Sequence, residues 1–332
     1  MKVICLVPEQ RFTVTGVKIP PHMDFTFANT SDEEEIVRLC KGADYLMANC
    51  VSSFLSDATI RKLDTIKYIQ VDGAGYEKID FKTAAKCGLP VANNAGVNAV
   101  SVAEAALGMI IALQRRFPMS DIWIKKKKYA ELHKILLSEG VGEISDMKIG
   151  IIGLGAIGTN LARMLREHEP ELVYNDIVWK DKEQEKVLNV SRASFDEIVE
   201  TCDTVTIHTP LTDLTRNMIN EQVLLRMKPN AIFINTSRGP VVDAAAVAKV
   251  LEMGRLAGVG IDTMDPEPPG PDHPFVNLSP EAAERVILTP HVAGLTIGAI
   301  KRMLQRCLAN IDRAEAGIPL HSVVNGVTNA RK

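Results

Sequence analysis

The sequence predicts an α/β protein made of two doubly wound parallel-sheet domains, and three observations lead there. Short apolar runs alternate with helical patterns almost from end to end, the signature of strand–helix–strand units. A chain of 332 residues is long for a single core, and its length points to about two domains. The stretch from Lys148 to Asp176 joins an apolar run, a glycine turn, a helix and a returning apolar run that ends in an acid.

In the first part of the chain, Val3 to Val7 reads as strand, Asp32 to Lys41 as helix, Asp44 to Ala48 as strand and Asp57 to Leu63 as helix. Tyr68 to Val71 follows as strand, Phe81 to Cys87 as helix and Leu89 to Ala92 as strand. Between Val71 and Asp80 lies a turn with two glycines, Gly73-Ala74-Gly75. Its exposed N–H groups can bind a carboxylate or simply reverse the chain. Asn98 to Arg116 is a strong helix with Ser101 expected as N-cap and Glu104 completing S-x-x-E. It is apolar nearly all round, so it must be covered on more than one side. That predicts a homodimer through the 98–140 region, the alternative being a helix central to one domain. Trp123 to Leu137 is a further amphipathic segment.

The glycine unit comes next. Lys148 to Ile152 suits a strand buried on both faces, and Gly153, Gly155 and Gly158 form G-x-G-x-x-G ahead of a helix from Ala156 to Glu167. Such a turn lets backbone N–H groups and the positive end of the helix dipole meet a pyrophosphate. Asp176 stands at the end of the returning strand, Glu171 to Tyr174, where an acid accepts ribose hydroxyls and repels a 2′-phosphate. No Arg follows at Ile177, Val178 or Trp179, so the motif favours NAD over NADP.

Beyond it, helices are expected at Phe195 to Glu200, Glu221 to Met227 and Asp243 to Glu252. The strands are Thr204 to His208, Ala231 to Asn235, Gly258 to Ile261 and Val286 to Leu288. With Ile149 and Glu171 onward this makes six strands, the number of a doubly wound dinucleotide domain. The last helix, Ile297 to Ala314, has no strand after it and is expected to return to the first domain.

In such sheets ligands bind beyond the carboxyl ends of strands. Three ends carry chemistry. Arg238, after Ala231 to Asn235, offers a planar fork of donors to a carboxylate. Glu267, after Gly258 to Ile261, lies between Pro266 and Pro268 on a stiffened loop. His291, after Val286 to Leu288, can exchange a proton near neutral pH, and a carboxylate beside it favours its charged form.

Composition narrows the partners. A formal net charge of −3 gives no electrostatic reason to expect nucleic acid or a membrane surface, and the Lys125 to Lys128 run reads as a solvated helix face. The six cysteines lack C-x-x-C spacing and read as buried thiols of a reducing compartment. The opening apolar run is too short for a signal peptide and no stretch reaches membrane-spanning length. A cytoplasmic protein is expected.

At these residues the chain resembles the D-isomer-specific 2-hydroxyacid dehydrogenase family. The resemblance rests on Gly73-Ala74-Gly75-Tyr76, Ser101-Val102-Ala103-Glu104, the glycine turn with Asp176, and His208-Thr209-Pro210-Leu211-Thr212. It continues through Asn235-Thr236-Ser237-Arg238-Gly239, Asp265-Pro266-Glu267-Pro268 and Thr289-Pro290-His291. It implies a Rossmann NAD domain, 100–293, inserted in a flavodoxin-like substrate domain made of 1–99 plus 294–332. It also implies reduction of a 2-keto acid to a D-2-hydroxy acid, and the reverse, by hydride transfer as one domain closes on the other. By motif, Arg238 would hold the substrate's carboxylate and carbonyl, His291 would be the acid/base and Glu267 would orient and charge it. Backbone at Ala74 and Gly75 would make a second carboxylate contact. On the cofactor side, Ile157 and Gly158 would meet the pyrophosphate with Gly153 and Gly155, and Asp176 the ribose. Thr209, Pro210 and Thr215 would lie near the adenosine, Thr236 and Ser237 near the nicotinamide riboside, and Asp262 would bond the carboxamide.

Two departures from the family pattern are Glu77, where Asp is usual, and a long 268–286 segment. The loop from Asn49 to Ser53, expected to face the substrate's side chain, is small and nearly uncharged, which disfavours a phosphorylated substrate unless Lys or Arg arrives from elsewhere. Two rivals share the architecture: an NAD-sensing, peptide-binding corepressor-like protein, and an NAD dehydrogenase for a different small anion or an amine.

Overall fold

A computed structural model describes residues 1–331. The chain divides into two compact units, residues 1–98 with 295–332 and residues 99–294.

Unit 1 begins with β1 (Lys2–Cys5), α1 (Gln10–Thr15), β2 (Asp24–Phe27), α2 (Glu33–Cys40), β3 (Tyr45–Ala48), α3 (Asp57–Ile60), β4 (Tyr68–Val71), α4 (Phe81–Lys86) and β5 (Val91–Ala92). Its five strands are all parallel in the order β2-β1-β3-β4-β5, the doubly wound flavodoxin-like order. Central strands β3 and β4 are buried on both faces, which is why they read as unbroken apolar runs. The helices start where a side chain can cap them. Asp32, Ser56 and Asp80 accept N–H groups from the first turns of α2, α3 and α4.

Unit 2 opens with three helices, α5 (Ala99–Gln114), α6 (Phe117–Lys125) and α7 (Tyr129–Glu139). Ser101 is therefore not the N-cap of α5. The helix begins two residues earlier at buried, helix-favouring Ala99, and Ser101 is enclosed in its first turn. The nucleotide-type half follows as β6 (Lys148–Ile152), α8 (Ala156–Leu165), β7 (Glu171–Asn175), α9 (Lys182–Leu188) and β8 (Ser191–Arg192). The second half runs α10 (Phe195–Thr201), β9 (Thr204–Ile207), α11 (Glu221–Arg226), β10 (Ala231–Asn235), α12 (Ala244–Glu252), β11 (Leu256–Ile261), α13 (Pro280–Ala283) and β12 (Val286–Leu288). The seven parallel strands lie in the order β12-β11-β10-β9-β6-β7-β8, a Rossmann arrangement with one added edge strand. Strand crossover therefore reverses beside β6, and the β6–α8 turn opens at that switch point. α5 presses close to the sheet because β11 carries Gly258 and Gly260. A Cβ on the first would come within 2.9 Å of Leu113, and one on the second within 3.0 Å of Met109 Sδ.

The chain then rejoins unit 1 as α14 (Ile297–Glu315), capped by Thr296. Leu304, Cys307, Leu308 and Ile311 of α14 pack with Val3, Cys5, Tyr45 and Tyr68 to close one face of the first sheet. Asn310 of α14 donates to Gln70 at 2.7 Å, and Arg331 donates to the Leu63 carbonyl at 3.0 Å. Among the described residues no helix is long and apolar enough to cross a membrane.

Candidate active site

Three strand ends of the unit 2 sheet bring their polar residues together. β10 delivers Asn235, which is 1% exposed and staples the loop beyond it. Its Oδ1 accepts from Ser237 N at 3.0 Å and Ser237 Oγ at 2.7 Å, and its Nδ2 donates to the Arg238 carbonyl at 3.1 Å. Arg238 leaves this loop with its Nη1 donating to the Ser237 carbonyl at 2.8 Å. Gly239 follows where no other residue fits, since a Cβ there would strike the Met264 carbonyl. The Arg238 loop and the loop after β11 are thus held in direct contact.

That second loop presents Glu267. Its Oε1 accepts the Met264 N–H at 2.9 Å, which fixes the carboxylate from its own side of the turn. Its Oε2 meets His291 Nδ1 at 2.8 Å. Half-burial pulls the Glu267 carboxyl upward. The hydrogen bonds from His291 and Met264, with the His291 and Arg238 charges, outweigh it and hold the group below the usual carboxylate range. Glu267 is therefore ionised at neutral pH, so the shared proton is assigned to His291 Nδ1 and Nε2 is left for chemistry.

His291 itself sits at φ +54°, a left-handed backbone that costs a branched or bulky residue energy and persists only when neighbours over-determine it. Asp262 supplies that determination. Its backbone carbonyl accepts the His291 N–H at 2.8 Å. Its buried Oδ1 accepts Thr289 Oγ1 at 2.6 Å, Val292 N at 2.9 Å and Ala293 N at 3.2 Å. The family resemblance gives Asp262 a cofactor contact; the fold adds the work of clamping both sides of His291. The Ala293 N–H also reaches Asp262 Oδ2, at 3.2 Å.

The glycine turn fits a dinucleotide on several counts. Gly153 has φ +94°, and a Cβ there would come 2.8 Å from the His208 backbone. A Cβ on Gly158 would strike the Gly153 carbonyl, so this glycine is what lets α8 begin so close to β6. Gly155 is the reverse: open space surrounds its Cβ position, it is the N-cap of α8, and no side chain caps the first turn. Those N–H groups, Ile157 and Gly158 among them, are left for an anion. Asp176 closes the turn, with Oδ2 accepting Leu154 N at 2.6 Å and Oδ1 accepting Val178 N at 2.9 Å, and a carboxylate keeps further lone pairs for ribose hydroxyls. Arg192, the cation on the neighbouring strand, is committed to Glu185 and lies over the Trp179 ring.

Beside this turn, the Thr209 hydroxyl is buried without a protein partner. Pro210 offers its carbonyl to Thr215 Oγ1 at 2.7 Å, which shapes the loop after β9. Thr236 and Ser237 turn their hydroxyls inward, to His208 at 3.3 Å and to Asn235. His208 was read only as part of a motif. It is enclosed, with Nε2 2.9 Å from Thr206 Oγ1, and burial drives its pKa down to about 3, so it is a neutral spacer under the site. In unit 1, Ala74 and Gly75 lie on the loop after β4, where Asn93 Nδ2 donates to the Ala74 carbonyl at 2.7 Å.

A glycine-turn anion site at a sheet's switch point, an ionised carboxylate bonded to a histidine and an arginine on the adjoining loop define a dinucleotide-dependent oxidoreductase. Comparison gives the family. Residues 107–293 match the model for the D-isomer specific 2-hydroxyacid dehydrogenase NAD binding domain. The glyoxylate reductase of Thermofilum pendens is 33% identical over 279 residues, spanning 84% of this chain and 80% of the relative. That of Korarchaeum cryptofilum is 34% identical over 258 residues, 77% of this chain and 76% of the relative. Among solved structures, D-lactate dehydrogenase with NAD+ from Lactobacillus jensenii superposes with a TM-score of 0.80 at 26% identity, covering 98% of this chain and 99% of that one. The chain belongs to the D-isomer specific 2-hydroxyacid dehydrogenase family and carries that family's NAD-binding domain.

Proposed function

We propose that this protein reduces a 2-keto acid to the D-2-hydroxy acid, and catalyses the reverse, with NAD as cofactor. The observation that carries the reading is the 2.8 Å bond between His291 Nδ1 and ionised Glu267, with Arg238 on the adjoining loop. The reduced nicotinamide, when bound, supplies the hydride. As charge builds on the carbonyl oxygen, His291 gives up a proton from Nε2, and the Arg238 guanidinium steadies both that oxygen and the substrate carboxylate. Glu267 keeps the imidazolium favourable and its ring oriented. Backbone N–H groups at Ala74 and Gly75 make the second carboxylate contact. In oxidation His291 takes the hydroxyl proton.

On the cofactor side, Gly153, Gly155, Ile157 and Gly158 hold the pyrophosphate and Asp176 the adenosine ribose. Thr209, Pro210 and Thr215 flank the adenosine. Thr236 and Ser237 serve the nicotinamide riboside and Asp262 the carboxamide. Glyoxylate reductases among the relatives favour a small keto acid as substrate. A panel of 2-keto acids followed by NADH or NADPH oxidation tests the reading. The wild type should turn over with NADH in preference to NADPH. His291→Ala and Arg238→Ala should each lose about 100- to 10,000-fold in kcat while still binding NADH. Near-normal turnover in either variant defeats the assignment.

The assembly proposed is a homodimer through the 98–140 region. Phe117, Ile124, Tyr129 and Leu137 of α6 and α7 are large apolar side chains at least half exposed, more than a lone surface needs. Sedimentation equilibrium should return twice the chain mass, and Ile124→Glu with Leu137→Glu should shift it to the monomer; a wild-type monomer at micromolar concentration rejects the dimer. The compartment proposed is the cytoplasm, in keeping with six free cysteines.

A further inference from the structure

A buried ion pair lies at the carboxyl edge of the unit 1 sheet, under both loops assigned to the substrate. Asp72 follows β4 and directly precedes Gly73-Ala74-Gly75, and it is 2% exposed. Its Oδ2 accepts Nη1 of Arg11, from α1. Its Oδ1 accepts the Cys50 N–H at 2.7 Å. One carboxylate therefore ties α1, the Asn49–Ser53 loop and the glycine turn together. The join is tight, because a Cβ on Gly73 would run into Cys50 Sγ, and Asn94 Nδ2 holds the Asp72 carbonyl at 2.9 Å.

The two partners differ in access. Burial pushes the Asp72 carboxyl upward against the pull of Arg11 and the Cys50 N–H. The Arg11 side chain keeps 19% of its surface in solvent. A guanidinium has a fork of five donors, and one beside a substrate loop is the natural partner for a second carboxylate or a phosphate on the substrate. The loop from Asn49 to Ser53 supplies no cation of its own. Two cations reach these loops from elsewhere: the exposed Lys78, whose Nζ donates to the Val51 carbonyl, and the more enclosed Arg11, which already has Asp72 on it.

We infer that the Arg11–Asp72 pair sets the substrate class: Asp72 is a built-in competitor for any second anionic group, and it restricts the enzyme to 2-keto acids whose remaining substituent is uncharged. The inference rests on the 2-keto acid reading above. An electrically neutral pair gives a dianionic substrate no return for the water it sheds, whereas an unpaired Arg11 would.

The test compares kcat/KM of the wild type, Asp72→Asn and the double variant Arg11→Met/Asp72→Asn. The substrates are glyoxylate and pyruvate on one side, and oxaloacetate and 2-oxoglutarate on the other. The wild type should prefer the first pair. Asp72→Asn should shift the ratio toward the dianionic acids by at least about tenfold, the size of one charge-assisted contact, and the double variant should return it. Thermal melts confirm folding. Asp72→Ser, which keeps an acceptor for the Cys50 N–H, replaces Asp72→Asn if that variant does not melt cooperatively. A wild type equally active on dianionic acids, or a folded Asp72 variant with an unchanged ratio, overturns this inference alone. No turnover with any keto acid, although NADH binds, overturns the oxidoreductase reading and this inference with it.

Discussion

Glu267 shows how much one charge can organise. The carboxylate accepts from Met264 on one oxygen and from His291 on the other, so its position is fixed by backbone and its charge by imidazole. Glu267→Gln keeps the shape and removes the charge. It should lower kcat at least about tenfold with NADH affinity little changed, because the imidazole loses the carboxylate that orients it. Wild-type turnover in this variant, measured as NADH oxidation with a 2-keto acid, would refute the role. Arg238, Glu267 and His291 were legible as strand-end residues of a parallel sheet. What could not be read was the clamp on His291, since Asp262 and Thr289 are far apart in sequence and meet only because β11 and β12 lie side by side in register.

Among elements, the strongly patterned ones were readable and the weakly patterned ones were not. β3, β4, β6, β7, β9 and β10 are mostly buried runs rich in apolar and β-branched residues, and that composition announces them. β2, an outer strand with no residue fully buried, and two-residue β8, fully exposed, bury too little to leave a pattern. α1 escaped for another reason: Thr13, Val14 and Thr15 are β-branched, poor helix formers, and its packing in the unit overrides their propensity. The seam between the loops after β10 and β11 is likewise invisible in sequence, although Gly239 makes it possible. Gly239→Ala must push the Met264 carbonyl aside and carry Glu267 with it. Turnover should fall about tenfold to a hundredfold with NADH affinity little changed. A variant that loses NADH binding and activity together would mean the seam supports the whole cofactor cleft instead.

On the scale of the whole molecule, buried titratable groups shape stability. His208 has its pKa lowered from 6.5 to about 3 by desolvation, so over that interval the unfolded chain binds a proton that the folded chain refuses. The stability that His208 contributes is fully present above pH 6.5 and drains as pH falls toward about 3, by an amount on the order of a few kcal/mol. Urea denaturation of wild type and His208→Asn at about pH 7 and about pH 5 should show the variant losing less stability on acidification; equal losses would exclude His208 as the source. The two-domain α/β architecture was itself legible, because alternating patterns and a glycine turn report topology directly, whereas pairings such as Arg11 with Asp72 depend on neighbours the sequence does not reveal.

The topology also sets an order of events at the ribosome. Residues 99–294 form a contiguous unit with its own core, so they can fold as soon as they emerge. The sheet of unit 1 emerges before unit 2 yet cannot finish, since the helix that covers Val3, Cys5, Tyr45 and Tyr68 is translated only after residues 99–294. A growing chain therefore carries an oily, unroofed sheet while all of the intervening unit is made, and that sheet becomes native only afterwards.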